Sequence, residues 1–579
     1  MVGWPRTTDY HGSPFIPLER KEGEMRVRIA TLVTVFVAVA LLVSACGPAV
    51  TPTEAPEGTP RPQPEATPTS PVPAPELGRD PNTLIISTYE GIAGIDPPGF
   101  PSASGSLVQR GVYETLLTAT PSGELELVLA ESYDVNEENT VWTFHLREGV
   151  KFHDGTAFNA QAVKDNYIRT VEIELGLSGV IGRFLSDPEN QMVVIDDYTI
   201  EFRFDQPQPF FADALASSYG AWIVSPTAFT EHDVEGDWAH DWLDTHAVGT
   251  GAYVLEEFRP VEQITLVSFD DYWRGWEGKH FDTVLLKVME DISLNRQLLE
   301  KGDVDIVVKV TPEDFEALQG NPDLVVHQDF GLKYTIVFMG CYGPLASPEA
   351  RQAMSYAFDY DGYVNGIQMG QVQRLYGPFT STQFGYDPDI FKYETDLEKA
   401  AELLEEAGVE PGTELVWLTS GHYAPDAELL MQAQLEQLGL RLRIEKVDSA
   451  SQFTTIFSDL PIEGRFSFAD MAWWPDYDDP WNAAQALYHS ENWGLKGANG
   501  SYYANDRADD LLDMMRVAGT KEEIEALATE FQNVLTEQDP PCIWVGEDPD
   551  KTIHRTDIKG YEFVPLYTET YPLYNLYRE

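Results

Sequence analysis

The sequence predicts a mixed α/β or α+β protein with more than one domain. The chain has 579 residues, which is too long for one ordinary hydrophobic core. Strand patterns and helix patterns alternate through much of the chain, and no internal repeat is evident. The first half is richer in strand patterns, whereas the second half shifts toward helices.

The predicted strands follow from apolar and β-branched residues arranged with a period of two. The first strand starts at Thr83 and runs to Gly91, and residues 141–146 alternate large apolar with more polar side chains. Two alternating runs within 193–204 meet at a pair of aspartates and predict a hairpin. Residues 249–258 and 263–269 predict two more strands joined by a short connection.

The predicted helices are recognised by their first residues. Asn159 is suited to cap one helix, and Ser347 followed by Pro348 begins another. Capping boxes at 395–398 and 520–523 predict helices in which Thr395 and Thr520 are the N-caps.

Composition and charge exclude some classes of function. The chain carries 38 Lys and Arg against 95 Asp and Glu, a formal net charge of −57. Nucleic-acid binding requires clustered basic residues, so a nucleic-acid partner is not expected. The acidity also suits solubility or adaptation to salt or heat. With three cysteines a disulfide framework is excluded, and Cys341 and Cys542 are expected to be buried free thiols.

The N-terminal residues predict export and membrane attachment. Two arginines precede an apolar run from Ile29 to Ala45, and small residues come directly before Cys46. We interpret 25–45 as a signal peptide that resembles the bacterial lipoprotein type, with Cys46 as the lipid-modified first residue. A single-pass membrane anchor is the alternative. Residues 1–24 then belong to a misassigned upstream start.

Residues 46–80 are rich in Pro, Thr, Glu and Ala. Such a composition does not bury enough apolar surface to fold, and the prolines keep the chain extended. We therefore predict a tether that holds a globular body away from the membrane surface.

The sequence lacks the common catalytic motifs. The chain contains no G-x-S-x-G, H-E-x-x-H, Walker-type glycine loop or S-x-x-K set with its companion motifs. Its eleven histidines are scattered, and neither His145 nor His153 is expected to bind a metal. We predict no catalytic residue, no metal and no cofactor, with a lipid-anchored hydrolase as the alternative class.

Residues 469–481, ADMAWWPDYDDPW, combine three tryptophans and a tyrosine with four aspartates. Aromatic residues favour cores and carboxylates favour water. A segment that contains both indicates a surface that stacks on a ligand and offers it negative charge.

Several segments together resemble a known family. They are GVYETLLT, LAESYDVNEENTVWTFHLREGVKFHDGTAFNAQAVKDNY, VGTGAYVLEEF with FDDYW, RQAMSYAFDYDGYVNGIQMG, LEKAAELLEEAG and IKGYEFVP, in this order over residues 82–570. The chain resembles the extracytoplasmic solute-binding proteins of peptide-type ABC importers. The resemblance implies a periplasmic-binding-protein-like fold that is bilobal with an extra inserted lobe. The implied parts are lobe I (81–119, 217–327 and 548–579), the inserted lobe II (120–216) and lobe III (328–547).

The resemblance also implies where ligand binds. In this family a cleft between lobes closes over the ligand, and the membrane permease recognises the closed form. Asp476 matches the aspartate that meets the free α-amine of a bound peptide. Trp473, Trp474 and Tyr477 are expected to pack on the ligand, although Trp473 is also a candidate for the core because adjacent side chains of an extended segment point opposite ways.

Two further positions refine the expected ligand. Tyr89 falls where family members contact the ligand backbone. Dipeptide binders place an arginine for the ligand carboxylate at a position that is matched here by Glu428. We therefore predict a monomeric, membrane-tethered extracytoplasmic protein that binds oligopeptides rather than dipeptides, with oligosaccharide as the alternative ligand and metal chelates also open.

Overall fold

The structure is a computed structural model that describes residues 80–579, apart from 93, 100, 101, 290, 459–464, 495 and 496. The predictions for 1–24, for the signal peptide 25–45, for Cys46 and for nearly all of the tether 46–80 lie outside the described residues.

The described strands form three large sheets, one of seven strands, one of six and one of four. The seven-stranded sheet has the order Leu324–Val326, Ile553–Arg555, Ile306–Val307, Thr83–Thr88, Thr283–Val288, Gln263–Ser268 and Tyr253–Arg259. The six-stranded sheet has the order Gln373–Arg374, Cys542–Glu547, Tyr334–Met339, Phe468–Trp473, Glu414–Thr419 and Arg441–Lys446. The four-stranded sheet has the order Ala130–Val135, Val141–Leu146, Thr199–Arg203 and Met192–Asp196. Two short ribbons pair Leu117–Ala119 with Leu125–Leu127 and Ile558–Lys559 with Tyr577–Arg578.

Helices pack against these sheets and connect their strands. The α-helices are Ala103–Val112, Ala160–Glu172, Ser178–Gly182, Pro188–Gln191, Phe211–Leu215, Pro226–Glu231, His240–Leu243, Asn295–Lys301, Pro312–Leu318, Pro348–Ala357, Leu397–Glu406, Ala427–Gln437, Ser449–Ile456, Pro480–Tyr488, Asp506–Val517 and Lys521–Asn533. Shorter 3₁₀ segments are Ile292–Leu294, Gly343–Leu345, Ser490–Asn492 and Leu573–Asn575, and π-helical turns are Gly362–Ile367 and Val534–Gln538.

The predicted strands are confirmed where their side-chain periodicity was strongest. Trp142, Phe144 and Leu146 are all buried on one face of the strand Val141–Leu146. The predicted hairpin exists as Met192–Asp196 paired with Thr199–Arg203. These strands bury one face because their period of two matches the pleat of a sheet.

The predicted helix starts are confirmed at three positions and corrected at one. The side chains of Asn159, Ser347 and Thr520 each accept a hydrogen bond from the backbone N–H three residues ahead. The N-cap of Leu397–Glu406 is Asp396 rather than Thr395, because the Asp396 carboxylate accepts from Lys399 N at 2.9 Å. The Thr395 hydroxyl instead donates to the Phe358 carbonyl at 2.7 Å.

The three sheets draw on separate parts of the chain. Strands of the four-stranded sheet lie within 120–216, and those of the six-stranded sheet lie within 328–547. The seven-stranded sheet collects its strands from before, between and after these parts. The three-lobe division is consistent with these sheets and stays a proposal.

Two adjacent segments connect the seven-stranded sheet with the six-stranded sheet. Residues 327–333 lead into Tyr334–Met339, and residues 548–552 leave Cys542–Glu547. The two segments run antiparallel and exchange backbone hydrogen bonds between Asp329 and Asp550, at 3.0 and 2.8 Å. The paired segments form a narrow connection, which is the geometry of a hinge.

Candidate functional site

A cavity of about 580 Å³ lies between the seven-stranded sheet and the six-stranded sheet. Its volume is within the range of small-molecule sites, about 300–1,000 Å³. The charged and aromatic side chains that line it are Tyr89, Glu90, Tyr219, Lys309, Lys333, His422, Tyr423, Trp474, Asp548, Lys551 and Glu569.

The sheet topology explains why these residues meet. Strands Thr83–Thr88 and Ile306–Val307 are parallel neighbours, so Tyr89 and Lys309 extend from the same edge of the seven-stranded sheet. Strands Glu414–Thr419 and Phe468–Trp473 are also parallel, and Trp474 follows the second of them. Ligands of open α/β sheets bind beyond the carboxyl ends of the strands, and this cavity lies at such strand ends.

One wall of the cavity carries a paired set of charges, which we call the Glu569 cluster: Tyr89, Lys333, Asp550 and Glu569. Glu569 Oε1 accepts from Lys333 Nζ at 2.7 Å, and Oε2 accepts from the Tyr89 hydroxyl at 2.6 Å. The Glu569 backbone N–H donates to Asp550 Oδ2 at 2.6 Å. Burial would raise the pKa of Glu569, but the nearby positive charge of Lys333 outweighs it and lowers this pKa.

Asp476, the predicted amine-binding residue, is half-buried and is not among the residues that line the cavity, although its charge acts on the lining residue Tyr219. Asn482 holds it at two points: its Oδ1 accepts from Asp476 N at 2.8 Å, and its Nδ2 donates to Asp476 Oδ2 at 3.1 Å. The Ser217 hydroxyl donates to the Asp476 carbonyl at 2.7 Å. These contacts fix the position of the carboxylate.

The carboxylate of Asp476 lacks a positive partner. Within the described residues, no lysine, arginine or histidine forms an ion pair with it, and its Oδ1 accepts no hydrogen bond. Burial raises the pKa of Asp476 to about 6, and the Asn482 hydrogen bond offsets only part of this. A carboxylate kept without a cation is free to bind one.

The two tryptophans point to different environments. Trp474 lines the cavity, together with Ala472 two residues earlier. Trp473 lies between them in sequence and does not line the cavity, although both tryptophans pack against the margin of the core. This alternation is what an extended strand end requires. Tyr219 connects Trp474 and Asp476 with the cavity: burial raises its pKa, hydrogen bonding with Trp474 lowers it, and the charge of Asp476 raises it.

Tyr477 lies away from the cavity, which differs from the expectation that it forms a wall of the ligand site. Its side chain is fully buried in the core. Its hydroxyl accepts a hydrogen bond from Arg183, which also pairs with Asp479 at 3.0 Å and stacks on Trp481 at 3.8 Å. Tyr477 and Asp479 therefore anchor the segment that carries Asp476. Asp479 also caps the helix Pro480–Tyr488.

Tyr89 lies at the cavity, where the resemblance implied contact with ligand. Its ring packs under the Lys309 ammonium at 4.3 Å, while its hydroxyl is hydrogen-bonded to Glu569. Glu428 does not line the cavity: it faces the core from helix Ala427–Gln437 and is 6% exposed. The residues that line the cavity nearby are His422, Tyr423 and Pro425, from the loop before that helix.

Sequence reasoning missed the three cavity lysines and Glu569. A signal was available for Lys309, which interrupts the apolar run from Ile306 to Val310 in a chain poor in lysine. Lys333 and Glu569 carry no such signal, because they are 236 residues apart and meet only in the folded protein. No group of three or more potential metal ligands occurs among the described residues.

The geometry is that of a cavity between two sheets that are joined by a narrow paired connection. The family model for bacterial extracellular solute-binding proteins, family 5 Middle, matches residues 124–494, which is more than half of the chain. The chain belongs to this family, and its fold is the mixed α/β, periplasmic-binding-protein-like fold.

Known proteins resemble the chain over most of its length. The probable D,D-dipeptide-binding periplasmic protein DdpA of Escherichia coli (strain K12) is 27% identical over 78% of this chain and 84% of its own. The di/tripeptide-binding protein 2 of Pseudomonas aeruginosa (strain UCBPP-PA14) is 26% identical over 84% of this chain and 93% of its own. The structure of DppA from Helicobacter pylori with the peptide STSA has a TM-score of 0.74 at 24% identity, covering 86% of this chain and 98% of its own.

The family is extracellular, and its members are solute-binding proteins. In the described part of the chain, no helix has both the length and the apolar composition needed to cross a membrane.

Proposed function

We propose that this protein is the extracytoplasmic peptide-binding subunit of an ABC importer. It captures peptides in the cavity, with oligopeptides favoured over dipeptides, and delivers them to a membrane permease. It acts as a monomer, and it binds its ligand without breaking any bond in it.

The observation that carries the proposal is the unpaired carboxylate of Asp476. An ammonium group that enters a cavity loses water and is stabilised by a carboxylate at hydrogen-bond distance. The indole of Trp474 adds a face on which a cation or a peptide backbone packs. A peptide α-amine matches both features, and DdpA and the di/tripeptide-binding protein 2 are relatives whose names specify short peptides.

The paired connection supports capture by closure. Residues 327–333 and 548–552 link the two sheets, and the cavity residues Lys333, Asp548 and Lys551 lie on these same segments. A rotation between the sheets would open or close the cavity around these residues. A ligand that contacts both sheets stabilises the closed state and presents it to the permease.

The test is the affinity of Asp476→Asn for a randomised tetrapeptide library, prepared with free and with N-acetylated amino termini. The wild type should prefer free-amine peptides. The variant should lose at least about tenfold in affinity for them, equivalent to about 1.4 kcal/mol, and little for the acetylated library. Native mass spectrometry of the complexes should recover the peptides uncleaved.

The matched control is Asp478→Asn. Asp478 lies two residues away, and its carboxylate accepts from Phe384 N at 2.9 Å outside the cavity. This variant should keep the preference for a free amine. Equal losses for both libraries in Asp476→Asn, or cleavage of peptides by the pure protein, would contradict the proposal.

We also propose that a lipid on Cys46 anchors the protein on the outer face of the cell membrane. Two acyl chains on one residue hold a protein stably where a single chain does not. Cys46→Ala should move the protein from the membrane fraction to the soluble extracytoplasmic fraction. A variant that stays in the membrane fraction would favour a spanning anchor instead.

A further inference from the structure

A second cavity, of about 170 Å³, lies beside the seven-stranded sheet. It is lined by residues of helix Ala103–Val112, of the ribbon strand Leu117–Ala119, of strand Tyr253–Arg259 and of the 3₁₀ segment Leu573–Asn575. Among the described residues, none lines both this second cavity and the cavity between the two sheets. Sites for drug-sized ligands start at about 300 Å³, so the second cavity suits a molecule of only a few non-hydrogen atoms.

Two arginines line the second cavity, and neither has an acidic partner among the described residues. Arg110 packs over Tyr567, with Cζ 3.8 Å from the ring centroid, and its Nη1 donates to Ser218 Oγ at 3.3 Å. Its buried Nε donates to no acceptor in the described part of the chain. The Arg274 guanidinium packs over Trp273 at 4.7 Å and forms neither a hydrogen bond nor an ion pair with the described residues.

Arginines without a counter-ion are unexpected in so acidic a protein. The chain has 95 Asp and Glu against 38 Lys and Arg, so carboxylates are abundant. A guanidinium stays charged at neutral pH, and a buried N–H without an acceptor opposes folding. Burial lowers the pKa of Arg110, because the cation has lost water. An oxyanion from outside the protein would supply the missing acceptors, since its oxygens match the fork of a guanidinium.

The carboxylates that line the second cavity do not pair with these arginines. Three side chains donate to Glu114 at 2.8–2.9 Å: Thr250, Tyr272 and Trp273. Burial raises the pKa of Glu114, and the charge of Arg274 is among the effects that lower it, although the two form no ion pair. Glu126 and Glu562 are exposed, so water screens their charges. The positive charge of the two arginines therefore remains available to a ligand.

We propose that the second cavity binds one small oxyanion, a phosphate or a short carboxylate, through Arg110 and Arg274. Arg274 is exposed and would attract the anion from solvent, whereas Arg110 is half-buried in the last turn of its helix and would fix the anion in place. The anion is a ligand distinct from the peptide of the proposed function, because the two cavities share no lining residue among those described.

The test is isothermal titration calorimetry of the purified protein with two probes, inorganic phosphate and succinate, in a buffer whose only other anion is chloride. The wild type should bind one equivalent of at least one probe with a Kd below about 1 mM. Arg110→Met and Arg274→Met should each weaken this binding by at least about tenfold, and Arg274→Lys should weaken it less because the charge is kept. The probe that binds more tightly identifies the class of anion.

The matched control is Arg147→Met. Arg147 also packs over Trp273, at 4.3 Å, but it pairs with Glu131 at 3.7 Å and does not line the second cavity. This variant should bind the anion as the wild type does. Because Arg274 is exposed, Arg274→Met should keep the fold and decides the test if Arg110→Met does not fold.

The inference is overturned if neither probe binds saturably, or if Arg274→Met binds the anion with wild-type affinity. An excess of free-amine tetrapeptides should leave the affinity for the anion unchanged. Displacement of the anion by these peptides would place it in the cavity between the two sheets and would also overturn the inference. The Asp476→Asn test of peptide binding concerns the other cavity, so its result is independent of these outcomes.

Discussion

Glu569 lines the cavity and Asp476 lies two residues after the lining residue Trp474, and the two carboxylates have opposite electrostatic settings. Glu569 has Lys333 at 2.7 Å and the Tyr89 hydroxyl at 2.6 Å, and the lysine charge lowers its pKa against the effect of burial. Asp476 has a single amide donor, Asn482, and burial raises its pKa to about 6. The Glu569 carboxylate stabilises the fold through its ion pair. The Asp476 carboxylate has no ion-pair partner among the described residues, and a cationic ligand would supply one.

The same distinction separates Asp476 from Asp479 within one short segment. Asp479 pairs with Arg183 at 3.0 Å and is 1% exposed, so it holds the segment in place. Asp476 lies three residues earlier and forms no ion pair among the described residues. A partly buried charge without an ion-pair partner is tolerated at a binding site when neighbouring ion pairs keep the backbone rigid.

The largest effect on stability is expected from breaking the ion pair between Glu569 and Lys333. Glu569→Gln leaves the buried Lys333 without its counter-ion and should lower the free energy of unfolding by about 3–5 kcal/mol. Chemical denaturation of the ligand-free protein measures this. The double variant Glu569→Gln, Lys333→Met should recover much of the loss, because no isolated charge remains.

Asp476→Asn is the control for that measurement. It removes a carboxylate that has no cationic partner, so the free energy of unfolding should change by less than about 0.5 kcal/mol or should rise. A loss as large as that of Glu569→Gln would mean that Asp476 is structural, and the contrast between the two residues would fail.

A smaller effect, on ligand affinity, is expected from lowering the pH. In the proposed function the ligand amine binds the ionised form of Asp476. Burial raises the pKa of Asp476 in the free protein to about 6, so acid would protonate this carboxylate before the ligand binds. Affinity for free-amine tetrapeptides should be about tenfold lower at pH 5 than at pH 7.5. His422 at the cavity stays neutral over this range, since burial lowers its pKa to about 4.

Isothermal titration calorimetry at the two pH values measures the effect. Asp476→Asn should show a much flatter dependence, because an amide does not titrate. If the variant retains the full tenfold change, another group controls the pH response and Asp476 does not meet the amine.

Local patterns predicted much of the fold. The strand Val141–Leu146 and the helix starts at Asn159, Ser347 and Thr520 follow from residues close in sequence, and all are confirmed. The N-cap at Asp396 was missed because Thr395 and Asp396 are both good caps and only the fold decides which of them reaches the helix.

The candidate site was predicted only in part, because the fold also decides which side chains reach the cavity. Trp474, Asp476 and Tyr89 were identified from their resemblance to a family and lie at or beside the cavity. Tyr477 is adjacent to Asp476 yet is buried against Arg183, a residue 294 positions earlier. Side chains that are adjacent in sequence lie in different environments, and the sequence does not reveal which of them faces the cavity and which faces the core.

The mixed α/β class, the acidic character and the segment that carries Asp476 are all predictable from the sequence, because each depends on composition or on residues within one helix or strand. Only the tertiary structure decided which charges are paired. Lys333 meets Glu569 and Arg183 meets Asp479, whereas Lys309 and Asp476 have no ion-pair partner among the described residues. Charge pairing depends on distances of a few ångströms between residues hundreds of positions apart, and chain topology alone sets those distances.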